Sequence, residues 1–284
     1  YGATSFAAED RGQFPNSAQQ RSLIVTEPGG VRQIYAFIDN CETRNGSPWM
    51  PAAYPPAEVP VGTPLGTLDN GPNVRNSFYW DRKQTQGLAA SLDNFSPSDF
   101  LKARMRHWLG GFDHYNMQPA EVLSLERAPS PDGLSEGPKT WYDYANKLNG
   151  ASDYKGTQVL PSVVARRLPD GSTWYESYQR NAWGQPTSRT STYGNGSTTR
   201  SDTYTYSADG LDLLQESGPS GLIATYEYDN PFHQVSRIVR YVDAATTYVT
   251  TFSYDAATRV LRTISHPNAT VTELTYNVEN RLSL

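Results

Sequence analysis

Three residues in the first half have the types that bind metal: His107, Asp113 and His114. Imidazole and carboxylate at short spacing make a ligand set for zinc or another transition metal. The context argues otherwise, because His107 falls on an expected helix and the other two follow the Gly110-Gly111 break. A polar edge near a helix end is the expected arrangement, with no catalytic metal and no cofactor. Glycoside hydrolysis needs two carboxylates facing one bond. Asp and Glu are plentiful here, but no pair stands out, and Asp at a turn has its own explanation. Walker-type loops do not occur. Ser217-Gly218-Pro219-Ser220-Gly221 is Gly-rich but lies in a repeat turn. Cys41 is the single cysteine, so no internal disulfide or thiolate cluster forms, and it reads as a small apolar residue. No enzyme is expected. Asn45, Asn94, Asn195 and Asn268 each open an Asn-x-Ser/Thr triplet that matches the glycosylation pattern, and Pro follows two of the four.

Composition points the same way. Of 284 residues 37% are hydrophobic, and 19 Tyr and 6 Trp supply large apolar bodies with polar tips. Thr, Ser, Gly, Asn and Pro fill much of the remainder, a mixture suited to many strands joined by tight turns. The net charge of −5 and the scattered basic residues leave no footprint for nucleic acid. No apolar run approaches the length of a membrane span. The chain opens at Tyr1 rather than Met, as a processed product or part of something longer would.

From about residue 140 a phrase recurs. Pro169-Asp170-Gly171, Pro219-Ser220-Gly221 and Pro267-Asn268-Ala269 each open a run rich in Thr, Ser and aromatics, and nine positions after the Pro stand Tyr178, Tyr228 and Tyr276. Pro28-Gly29-Gly30 leads to Phe37 at the same spacing. Looser copies lead to Tyr206, to Tyr254, and to Tyr142 with Tyr144. Tyr206, Tyr228, Tyr254 and Tyr276 are separated by 22, 26 and 22 residues, and an acid or amide often follows: Tyr142-Asp143, Tyr228-Asp229, Tyr254-Asp255, Tyr276-Asn277. Pro presets φ and Gly accepts positive φ, so Pro-x-Gly is a turn. The next run alternates, as in Thr225-Tyr226-Glu227-Tyr228, which places Tyr226 and Tyr228 on one face. A second turn after the Tyr, closed by the following Asp or Asn side chain, leads to another strand such as Arg259 to Ile264 or Arg281-Leu282. Each period is a hairpin, and rings recurring at one hairpin position form a ladder along the sheet. Tyr and Trp rows can also stack on sugars, but rings that recur with the repeat fit an inward ladder that replaces a Leu/Val core.

Tyr228-Asp229, Tyr254-Asp255-Ala256-Ala257-Thr258-Arg259-Val260 and Tyr276-Asn277-Val278-Glu279-Asn280-Arg281-Leu282 resemble the YD repeats of the RHS family, Tyr-Asp-x-x-Gly-Arg-Leu followed by Pro-x-Gly and a Thr-rich strand. The resemblance covers about residues 140 to 284, with an echo at 21 to 39. Thr258 and Asn280 stand where the family prefers Gly, and the 178 to 206 copy is stretched. The resemblance implies an all-β fold of antiparallel hairpin repeats in a curved or spiralling sheet, with Tyr144, Tyr178, Tyr206, Tyr228, Tyr254, Tyr276, Pro169, Pro219, Pro267, Gly171 and Gly221 as structural repeat positions. It also implies a bacterial protein, exported or at the cell surface. Family members build hollow shells around a toxic C-terminal domain, or adhesive surface structures.

Residues 1 to 139 are expected to be an irregular β region. Ser22 to Glu27 and Val31 to Ile38 read as a hairpin, and Asn76 to Trp80 and Leu123 to Arg127 as strands. The Pro-rich stretch 46 to 73 reads as an extended loop. One helix is signalled over about 97 to 109: Ser96 caps it, Pro97 is at N1, and Leu101, Met105, Trp108 and Leu109 form a stripe that Gly110-Gly111 ends. The function expected is a non-enzymatic scaffold, a segment of a shell or fibre whose partners are further copies or the rest of a longer polypeptide. The alternative is an adhesion module that binds carbohydrate or a cell-surface ligand. The array stops at Asn280-Arg281-Leu282-Ser283-Leu284 with no Pro or Lys cluster, so its last strand is expected to pair with more protein and to give a filament if identical units join head to tail.

Overall fold

The structure, a computed structural model, describes residues 3–11, 20–40, 58–66, 69, 73–113, 116–147, 154–279 and 281–283. Cys41, Asn45, His114, Asn280, Leu284 and most of the Pro-rich stretch lie outside these residues. The chain is all-β: β1 (Ser5–Arg11), β2 (Gln20–Thr26), β3 (Arg32–Asn40), β4 (Val74–Trp80), β5 (Arg104–Asp113), β6 (Asn116–Arg127), β7 (Lys139–Asp143), β8 (Val163–Arg167), β9 (Thr173–Arg180), β10 (Pro186–Tyr193), β11 (Thr198–Tyr206), β12 (Leu213–Gly218), β13 (Gly221–Glu227), β14 (Arg237–Tyr241), β15 (Thr247–Tyr254), β16 (Leu261–Ser265) and β17 (Val271–Glu273). Strands pair with their neighbours in sequence as an antiparallel meander. Contacts divide the chain into two compact units, Tyr1–Ser177 with Thr192–Thr198, and Tyr178–Ser191 with Thr199–Leu284.

The first unit has a packed core on one face of its strands. Ile34, Ala36 and Ile38 of β3, Phe78 and Trp80 of β4, Met105, Leu125, Trp141 and Ala165 are buried there. The segment after β4 covers them with Leu92, Phe95 and Phe100, and Phe100 meets Phe78, Trp80 and Phe95 edge-on. Glu58 to Gly66 crosses β7 to β9 on hydrogen bonds from the Val61 N–H to Thr173 Oγ1 and from the Gly66 N–H to Asp143 Oδ2.

The helix is shorter than its sequence signal. Ser96 and Asp99 form a reciprocal capping box with Pro97 at N1, but α1 runs only Pro97–Leu101, after a 3-10 turn at Leu92–Asn94. Its last carbonyls are taken by other groups. Trp80 Nε1 donates to Asp99 O at 2.8 Å, Arg127 Nη2 to Phe100 O at 2.6 Å, and the Ser130 N–H to Leu101 O at 2.8 Å. Arg104 to Leu109 then alternates: Met105, His107 and Leu109 are buried while Arg104 and Arg106 face solvent. That period of two makes β5 a strand where the stripe of Leu101, Met105, Trp108 and Leu109 predicts helix.

The second unit has two unlike faces. Residues opposite one another in register share a face, as do residues two apart. One face carries Tyr204, Ala224, Tyr226, Ile238, Phe252 and Ile264. The other carries Thr203, Thr225, Thr251, Ser253 and Thr263, and the Ser253 and Thr263 hydroxyls meet at 2.6 Å. Ala224 and Val239 are the buried hydrophobics of this unit among the described residues. The rings of the array are thus half-buried on one sheet face and do not form a closed aromatic core.

Candidate functional site

The repeat positions fall into a regular scheme over β10 to β16. Tyr206 and Tyr254 end β11 and β15, and Tyr228 follows β13 directly. Tyr206 Oη donates to Pro186 O at 3.0 Å, Tyr228 Oη to Leu213 O at 3.2 Å and Tyr254 Oη to Val235 O at 2.9 Å. Each acceptor lies at the start of the preceding strand or just before it, so one bond ties both open ends of a hairpin. Tyr206 pairs with Leu213 and Tyr254 with Leu261 across register shifts at the tyrosine itself. Burial raises the pKa of all three phenols.

The other tyrosines do different work. Tyr178 lies inside β9 with the Arg180 guanidinium 4.7 Å from its ring centroid. Tyr144, just past β7, is buried against Leu109, Ala120 and Val122, and its phenol pKa is pushed up chiefly by that burial. Tyr276 is in an isolated bridge with Leu282. At the opposite turns, Gly171 and Gly221 take φ of +80° and +108° after Pro169 and Pro219, and Ala269 takes +64° after Pro267.

The turns that follow the tyrosines grip one another. Asn181 Oδ1 accepts from the N–H groups of Trp183 and Gln185, and Asn230 Oδ1 from those of Phe232 and Gln234. From the first turn, Trp183 Nε1 reaches Asp209 O at 2.9 Å and Gln185 Nε2 reaches Leu211 O at 3.2 Å. From the third, Gln234 Nε2 reaches Arg259 O at 2.8 Å, and the Arg259 guanidinium lies 3.5 Å from the Phe232 ring centroid. His233 Nδ1 sits 3.0 Å from both oxygens of Asp212, joining the second and third turns. Both gripping turns read Asn-x-aromatic-x-Gln, Asn181 to Gln185 and Asn230 to Gln234. The Tyr-Asp phrase hides this motif, because the closing amide at Asn230 stands one residue beyond the Asp229 expected to close that turn. Asp255 and Asn277 do close theirs, accepting from Thr258 and Arg281 N–H groups among others. The left-handed residue is Arg259, at φ +63°, rather than Thr258.

His107 is neither on a helix nor at an edge. It is fully buried on β5, with Nε2 2.8 Å from Asp69 Oδ2 and Nδ1 3.1 Å from Asn76 Oδ1. Arg75 Nη2 donates to the same Asp69 oxygen at 2.6 Å, and Arg75 Nε donates to Trp108 O at 3.0 Å. Arg75 holds φ at +54°, in the left-handed region. A buried charge persists when paired and hydrogen-bonded, and this cluster satisfies that condition. Asp113 ends β5; its side chain lies outside the described residues.

No family model matches the chain, and no curated protein matches it. Among solved structures it is similar to the crystal structure of TcdB2-TccC3, at 12% identity with a TM-score of 0.33, over 98% of this chain and 19% of that one. The chain thus spans about a fifth of that chain's length, and so slight a likeness assigns no family. No helix among the described residues is long and apolar enough to cross a membrane.

Proposed function

We propose that the chain is a non-enzymatic scaffold of the RHS/YD-repeat type, a segment of an exported or cell-surface bacterial shell or fibre that associates with further protein by pairing strand edges. One observation carries the reading: the polar side chains of the array are spent on holding the array together. Gln185 and Gln234 of the first and third turns bond the backbone of the turn that follows each, and the tyrosine hydroxyls bond hairpin ends. Groups arranged to stabilise a repeat serve a wall. Strand edges in such an array present unpaired N–H and C=O groups, which favour pairing between chains.

Light scattering with electron microscopy on the purified chain over a range of concentration tests this. Ordered β-rich particles that grow with concentration are expected. A monodisperse monomer throughout overturns the edge-pairing, and turnover of a glycan, peptide or phosphoester substrate by the chain overturns the scaffold reading itself.

A further inference from the structure

The first unit carries a cavity that the scaffold does not use. It opens on the side of β2 to β5 away from the core and has a volume of about 650 Å³, within the range of small-molecule pockets. Register sets its lining. Leu23, Tyr35, Tyr79 and Arg104 are successive cross-strand partners in one row, and Arg21, Phe37, Ser77 and Arg106 in the next. The Tyr35 and Tyr79 rings stack with centroids 4.7 Å apart, and Tyr79 Oη donates to Gln33 Oε1 at 2.9 Å, so the aromatic wall is fixed in place. Tyr35 and Leu23 are nonetheless 45% and 38% exposed, apolar surface left open to solvent.

The charge at this cavity is one-sided. Among the described residues, three guanidiniums and no carboxylate line it. Arg104 and Arg106 share one carboxylate, Glu126, at 3.5 and 3.4 Å, and both remain nearly half exposed. Two cations sharing one carboxylate keep donors and net positive charge for an anion. Arg presents a planar fork that matches a carboxylate.

We infer that this cavity is a binding site for a small carboxylate carried on a flat aromatic body, the ring system lying against Tyr35, Tyr79 and Phe37 and the carboxylate meeting Arg104 and Arg106. Both halves of the ligand are required. A sugar acid has the charge without the apolar body, and a neutral arene has the body without the charge.

The experiment titrates the full chain with 2-naphthoate, 2-naphthalenemethanol and galacturonate, following ligand fluorescence or calorimetry and the ring resonances of Tyr35 and Tyr79. Saturable binding of 2-naphthoate alone, with both tyrosines shifted, is expected. Replacing both arginines, R104Q with R106Q, should weaken it by about tenfold or more, as the loss of charge-assisted bonds implies. Leu23→Trp at the open rim should block it, with the circular dichroism of each variant confirming the fold. No saturable binding to the unaltered chain, equal binding of either half-ligand, or binding indifferent to the arginine changes overturns the inference.

Discussion

At the scale of single residues, the hydroxyl of a repeat tyrosine is worth more than its ring position implies. Tyr254 Oη donates to Val235 O across the open end of a hairpin, while Tyr248 on the same strand is 52% exposed and lies beyond the grip of the turns. A net intramolecular hydrogen bond contributes about 1 kcal/mol, and more when its loss leaves a half-buried carbonyl without its donor. Tyr254→Phe keeps the ring and removes only that bond. It should cost about 1 kcal/mol in denaturant unfolding, while Tyr248→Phe should change stability by less than about 0.5 kcal/mol. Equal effects of the two substitutions would deny the hydroxyl its part. The same scale explains what sequence could not show at His107. Its partners, Asp69 and Asn76, are 38 and 31 residues away, and nothing local marks them.

At the scale of elements, the turns make a pH prediction. The Thr258 N–H, then the Thr258 hydroxyl and Arg262, hold the Asp255 carboxyl well below the usual carboxylate range. The N–H groups of Ala245 and Thr246 lower Asp243 likewise. A carboxyl whose folded pKa is depressed contributes stability that is complete above its unfolded value, about 3.9, and is lost as pH falls through the folded value. The array should therefore loosen in acid. The repeat itself supplies the control, since Asn181, Asn230 and Asn277 close equivalent turns without a titrating group. Asp255→Asn, which loses the charge that Thr258 and Arg262 favour, should be slightly less stable than the unaltered chain near neutrality, with the difference shrinking between about pH 5 and about pH 2. Parallel acid curves would remove the carboxylate from the account. Hairpins and turns were legible in the sequence because their chemistry is local: Pro219 with Gly221, or Asp255 with Thr258, lies within one turn. Helix length was not. Leu101, Met105, Trp108 and Leu109 satisfy a helical period while Arg104 to Leu109 satisfies a strand period, and Trp80, Arg127 and Ser130, distant in sequence, take the carbonyls that decide between them. Nor was the grip between turns legible from the Tyr-Asp spacing, although Asn-x-aromatic-x-Gln, repeated 49 residues apart, was present to be read.

At the scale of the whole molecule, the two units rest on different forces. The first buries fourteen hydrophobic residues in one cluster, with Trp80 and Trp141 fully enclosed, and truncating one such ring to Ala costs about 4 kcal/mol. The second buries Ala224 and Val239 and otherwise relies on backbone pairing, half-buried tyrosines and the bonds between turns. Regions with few buried apolar contacts open at lower free energy than packed cores. Amides of Tyr226, Ile238 and Phe252 should therefore exchange well before those of Phe78, Met105 and Leu125 in the dilute chain. Trp183, the single tryptophan of the second unit, donates its indole N–H to the neighbouring turn and should report the early opening by a fluorescence change that precedes loss of the core. Concentration then separates the intrinsic weakness of the array from its proposed role. If strands of this unit pair with other copies, mass action stabilises the paired form, and protection at Tyr226, Ile238 and Phe252 rises with concentration while that of the core stays level. Uniform protection across both units in the dilute chain would show that the array is stable alone. Early exchange that concentration leaves unchanged would show that it opens without being held by its neighbours.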